Sequence, residues 1–126
     1  MSDVVLDSSA VLALLNAEPG AQAVLAVLPG AWLSAVNAAE VIAKLVDRGL
    51  PTAAAATALE ATGVEIVAFD ADQAIASGDL RRTTRAQGLS LGDRACLALA
   101  AARGVAALTA DTAWARVEGV DVRLIR

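Results

Sequence analysis

The chain has 126 residues, enough for one domain with a single core, and 57% of them are hydrophobic although Trp32, Phe69 and Trp114 are the only aromatics. The core must therefore be aliphatic and alanine-rich, and the apolar surplus points to surface that a partner covers. A net charge of −4 excludes a molecule-wide attraction for nucleic acid, the absence of histidine excludes imidazole acid–base chemistry and histidine-ligated zinc, and the lone Cys96 excludes an internal disulfide.

Val4-Val5-Leu6 is a short apolar strand, and Asp7-Ser8-Ser9 offers capping side chains to a helix from Ala10 to Ala17, stopped by Pro19-Gly20. A second helix spans Ala21 to Leu28 and ends at Pro29-Gly30, so the uncharged stretch from Pro19 to Ala39 is two short elements and no membrane helix. Ala31-Trp32-Leu33 is a strand, and Ser34 caps a helix from Ala35 to Arg48. Gly49 fits the end of that helix, and Pro51 fits the start of the next, which runs through Ala61. Val64 to Phe69 reads as a β-branched strand, and Asp70 or Asp72 opens a long helix closed near Gln87-Gly88. Ser90-Leu91-Gly92-Asp93 starts a regular helix from Arg94 to Arg103. Strand Val105 to Leu108 exits through Thr109-Ala110-Asp111, and Val120 to Ile125 is a final strand. Uniformly apolar strands alternating with helices give an α/β chain, one domain over residues 1–126, with a largely parallel sheet covered on both faces. Met1-Ser2-Asp3 shows no signal peptide, so a cytoplasmic protein is expected.

Asp7, Glu40, Asp93 and Asp111 stand where strands hand over to helices or in the first turns of helices, positions that gather at one sheet edge. Each has a structural alternative. Asp7 and Asp111 can be N-caps, Asp93 completes a capping-box spacing with Ser90, and Glu40 can pair with Lys44 four residues on. Ser8 and Ser9 can cap as well as Asp7, and Glu40 lies too far into its helix to be a cap, with Asn37 one turn before it on the same face. Converging carboxylates repel unless a cation joins them, and a hard divalent ion such as Mg²⁺ suits oxygen donors. Cys96, amid Ala95, Leu97 and Leu99, reads as core.

The segments Val-Val-Leu-Asp7-Ser-Ser9-Ala, Asn37-Ala-Ala-Glu40-Val, Gly88-Leu-Ser-Leu-Gly-Asp93-Arg-Ala-Cys-Leu-Ala and Leu108-Thr-Ala-Asp111-Thr-Ala-Trp114 resemble PIN-domain ribonucleases, most closely the VapC toxins of bacterial toxin–antitoxin pairs. The resemblance covers essentially the full chain. It implies a three-layer α/β/α sandwich around a central, mainly parallel sheet, with Asp7, Glu40, Asp93 and Asp111 as an acidic quartet holding Mg²⁺ or Mn²⁺. Ser9 and Thr109 would be supporting hydroxyls and Asn37 a site-lining amide, with Arg94 trimming the negative potential. It also implies RNA as substrate, a cognate antitoxin whose basic tail blocks the site, and a homodimer.

Metal-assisted hydrolysis then follows as the expected chemistry, with Asp7 and Asp93 the most direct ligands. All ten basic residues lie from Lys44 onward; Arg81 and Arg85, four apart on one expected helical face, are candidates to grip RNA phosphates, and Arg94 is a further candidate RNA contact. The alternative is a solvated face paired with Asp79. Two other functions compete. One is a haloacid-dehalogenase-like phosphatase with Asp7 as nucleophile, which wants a second aspartate where this chain has Ser9; the other is a non-catalytic subunit whose acidic pocket captures a basic peptide.

Overall fold

The computed structural model describes residues 3–28 and 30–126, so the readings placed on Met1, Ser2 and Pro29 lie outside the described residues. Five strands form one all-parallel sheet in the order β3-β2-β1-β4-β5. These are β1 (Val4–Leu6), β2 (Ala31–Ser34), β3 (Glu65–Val67), β4 (Ala106–Thr109) and β5 (Val122–Leu124). Val4 aligns with Ala31 on one side and Ala106 on the other, so β1 is central. The chain first winds outward from β1 through β2 to β3, then returns to β4 on β1's other flank. The reversal lies between β1 and β4, the place in open α/β sheets where ligand sites form, outside the strands' carboxyl ends.

Successive strand side chains face opposite sides of the sheet, and the two cores follow that alternation. Val4 and Leu6 pack with Leu33 and Leu108 under α1 (Ser8–Leu15), α2 (Ala21–Val27), α3 (Ala35–Asp47) and α4 (Thr52–Ala61). Val5 and Ala107 face the other way, against Cys96, Leu97 and Ala100 of α7 (Leu91–Arg103) and the fully buried Trp114. Helix α5 (Ala71–Asp79) packs outside α7. The result is the three-layer α/β/α sandwich.

Two expectations change. The long helix from Asp70 to Gln87 is three pieces: α5, the four-residue α6 (Arg81–Thr84) and a 3₁₀ turn over Arg85–Gln87. Thr84 donates its hydroxyl to the Leu80 carbonyl at 2.7 Å and Thr83 does the same at 3.4 Å, a local bonding mode that competes with regular helix. The outer strands are also shorter than their apolar runs. Each has a neighbour on one side alone, and Glu65, Ile66 and Arg123 on them are exposed. An exposed edge needs short, charged strands to discourage pairing with other chains.

Candidate active site

Asp7 leaves β1 at the N-cap position of α1, yet its side chain caps nothing. The carboxylate turns toward β4, where Oδ2 accepts from Ser9 Oγ at 2.7 Å and from Thr109 Oγ1 at 2.9 Å. Those hydroxyls in turn accept the backbone N–H groups of Ala110 and Asp111, both at 3.0 Å. The two strand ends are thus laced together around a carboxylate that is only 3% exposed. Burial is the main influence on that group and raises its pKa from 3.8 to about 6. The Ser9 and Thr109 hydroxyls and the Ser8 amide pull it down, while the Asp93 charge pushes it further up.

Ser34 ends β2 and caps α3 by accepting from Val36 N–H, which sets the phase of that helix. Asn37 then falls fully inside and Glu40 half-buried one turn later. Asn37 Nδ2 donates to Glu40 Oε1 and to the Gly92 carbonyl of α7, both at 2.9 Å. The alternative, a Glu40–Lys44 ion pair, does not form among the described residues; the shorter amide holds Glu40 instead. Gly92 lies directly against the Glu40 carboxylate, and a Cβ there would overlap it. Asp93 follows, half-buried, in a complete capping box: its Oδ2 accepts from Ser90 N–H at 2.9 Å, and its own N–H donates to Ser90 Oγ at 3.2 Å.

Cys96, fully buried one turn into α7, reports on the arrangement. Its thiol pKa is pushed well up, first by burial and then by the charges of Asp7, Asp93 and Glu40. The charges of three of the four acids thus lie within reach of this one thiol. Asp111 stands apart: it is exposed, and its Oδ1 accepts from Ala113 N–H. It joins the others only through its backbone N–H on Thr109.

In their present rotamers no three acids among the described residues close around one point as ligands of a single ion would. The donor set nonetheless suits a hard divalent cation. All donors are oxygens. The side-chain hydrogen bonds of Glu40, Asp93 and Asp111 each fall on one oxygen, and a neighbouring positive charge would offset the cost of ionising the buried Asp7 beside Asp93. Mg²⁺ keeps several of its waters, so carboxylates this far apart can hold it partly through water.

The arginines divide. Arg81 and Arg85 are exposed, but the helix break puts Arg85 beyond α6, so they do not share a continuous helical face, and Asp79 pairs instead with Arg82 at 3.1 Å. Arg94 is half-buried and gives Nη1 to the Ser77 carbonyl at 2.9 Å, which ties α7 to α5. Sequence reading missed Gly92, although a glycine inside a helical first turn was a visible oddity. It also missed Arg116, which lines a groove of about 450 Å³ with Gln87 and Thr112, next to Asp111 in the chain.

The sequence profile of the PIN domain matches residues 4–120, and the chain belongs to that family. No curated protein sequence matches it. Among solved structures it is similar to a toxin–antitoxin complex from Klebsiella pneumoniae, at TM-score 0.78 and 20% identity over 98% of both chains. It is also similar to DNA-bound VapBC from Salmonella typhimurium, at TM-score 0.77 and 17% identity over 100% of both chains. VapBC-5 from Mycobacterium tuberculosis, a VapBC-family toxin–antitoxin structure, gives TM-score 0.61 and 24% identity over 100% of this chain and 99% of that one. At these identities the likeness establishes the shared fold.

Proposed function

We propose that this protein is a Mg²⁺-dependent endoribonuclease, the toxin of a toxin–antitoxin pair, with Mn²⁺ as a substitute ion. The observation that carries the reading is that Asn37 and Gly92 hold the Glu40 carboxylate beside the helix turn bearing Asp93, with Asp7 buried within reach of the Asp93 charge and short of a compensating cation. Asp7 and Asp93 would hold the ion most directly, Glu40 and Asp111 through water. When bound, the ion supplies an acidified water and neutralises charge on the scissile phosphodiester. The chain's own contribution is orientation. Ser9 and Thr109 fix the Asp7 carboxylate and the turn carrying Asp111, while the capping box fixes Asp93. Hydrolysis forms a bond from the water oxygen to phosphorus and breaks the phosphorus–O3′ bond; the water's proton ends on O3′, giving 5′-phosphate and 3′-hydroxyl products. The exposed Arg81, Arg85 and Arg116 would be free to contact RNA phosphates, whereas Arg94 is bonded to the Ser77 carbonyl.

The PIN-domain membership and the likeness to toxin–antitoxin complexes support a cognate antitoxin; in this reading its basic tail would block the acidic pocket. A homodimer and a cytoplasmic location belong to the same reading; no helix among the described residues is long and apolar enough to cross a membrane. The test is cleavage of a structured RNA by purified protein, expected with Mg²⁺ or Mn²⁺ and lost in Asp7→Asn and Asp93→Asn. Full cleavage in excess EDTA would refute it.

The open spacing of the acids favours one second reading, a binding subunit without turnover whose pocket captures a basic peptide. It is separated by titrating Mn²⁺ into the protein alone, where that reading expects no binding. A phosphatase using Asp7 finds Ser9, engaged with Asp7 and the Ala110 N–H, where its second aspartate belongs.

A further inference from the structure

We propose that Asn37 is a positioning residue that acts through Glu40. Its amide on one side and Gly92 on the other pin the Glu40 carboxylate between α3 and α7. The proposal rests on the reading above, in which Glu40 helps to bind a divalent ion.

Asn37 is 0% exposed, so it meets neither substrate nor solvent and cannot line the site directly. Its amide orientation is fixed by its partners. Turned over, its oxygen would face Glu40 Oε1 and the Gly92 carbonyl, both acceptors, so the NH₂ group must point there. Both N–H groups are thereby engaged, and Oδ1 is left buried with no partner among the described residues. An unpaired buried acceptor is a standing penalty, and an aliphatic residue would fill this core position without it. What the amide adds over an aliphatic side chain is its grip on Glu40 and α7.

Gly92 supports the same conclusion independently. Its backbone is helical, a conformation that alanine adopts at lower cost. A side chain here is excluded by space, not by conformation, as long as Glu40 keeps its place. The space is taken by Glu40, whose two carboxylate oxygens and carboxyl carbon crowd where a Cβ would stand. One residue thus accepts the Asn37 amide and makes room for the carboxylate that the amide holds. A glutamate loses rotamer freedom when it binds an ion, and this clamp removes that freedom beforehand.

The experiment is a double-mutant cycle on the full chain without RNA, following Mn²⁺ binding by the electron paramagnetic resonance of free Mn²⁺. Asn37→Ala is expected to weaken binding about 10–100-fold, the usual effect of removing a group that orients a ligand. In a Glu40→Gln background the same change should cost less than about twofold, because its effect passes through Glu40. Gly92→Ala, which displaces Glu40 without touching Asn37, should behave alike and serves if Asn37→Ala does not fold. With RNA, both variants should lower kcat and leave KM unchanged. Equal losses in both backgrounds, or wild-type Mn²⁺ affinity in Asn37→Ala and Gly92→Ala, would overturn the positioning role alone. If wild type binds no Mn²⁺, or Glu40→Gln binds it as tightly as wild type, the metal-site reading fails and this inference falls with it.

Discussion

Replacing Asp7 by asparagine should make the metal-free protein more stable, and only above the pH at which the carboxyl ionises. A carboxyl whose pKa is 3.8 unfolded and about 6 folded holds its proton more tightly in the folded chain. Its stabilising contribution is complete below about pH 4 and drains away as pH rises through 6. At 1.36 kcal/mol per pH unit, ionised Asp7 leaves the fold about 3 kcal/mol weaker at pH 8 than it would be with a neutral group there. An asparagine oxygen can still accept from Ser9 and Thr109, whose hydroxyls now sit 2.7 and 2.9 Å from Asp7 Oδ2, so the variant avoids the charge and keeps the lacing. For a chain of this size the gain corresponds to roughly 10 °C in Tm. The assay is urea unfolding in EDTA at pH 4, 5, 6, 7 and 8 for both proteins. The curves should nearly coincide at pH 4, separate mainly between pH 4 and 6 and keep a constant gap above about 7, which Mg²⁺ added at pH 8 should narrow. A variant no more stable than wild type at pH 8, or a difference independent of pH, would refute the reasoning.

Thr109→Val removes the hydroxyl that donates to Asp7 and accepts from Asp111 N–H. Stability should fall by about 1–3 kcal/mol, and the acid limb of the pH–rate profile should move to higher pH as Asp7 becomes harder to ionise; an unmoved limb would contradict this. Arg94→Met, which loses the bond to the Ser77 carbonyl, should lower the urea midpoint while the salt dependence of RNA binding stays as in wild type. A salt slope reduced by about one would instead give Arg94 a phosphate contact. Cys96, fully buried with its pKa pushed up, should react with a disulfide reagent at pH 8 only as fast as the protein opens. Labelling within the mixing time would contradict the placement of its thiol.

The sheet was legible because β1, β2 and β4 are short, apolar and followed by capping residues, and Ser34 and Ser90 do cap their helices. Asp7 was legible for a related reason: with Ser8 and Ser9 beside it a capping aspartate was redundant, and its carboxylate caps nothing. What stayed hidden depends on residues far apart in the chain. Glu40 had two local suitors, Asn37 and Lys44, and the choice follows from Gly92, which accepts the amide's second hydrogen 55 positions away. Arg94 looked like a charge beside the site because its acceptor, the Ser77 carbonyl, lies on another helix. The break after Asp79 was misread because threonine hydroxyls returning to Leu80 carry no periodic signature.

Strand β1 takes β4 as a neighbour, and Ser9 meets Thr109, 100 positions further along the chain, at 3.2 Å. A growing polypeptide therefore exposes Asp7 long before the hydroxyl that completes its surroundings has been synthesised. Until residue 109 leaves the ribosome the cradle around Asp7 has one wall, so it closes only late in synthesis.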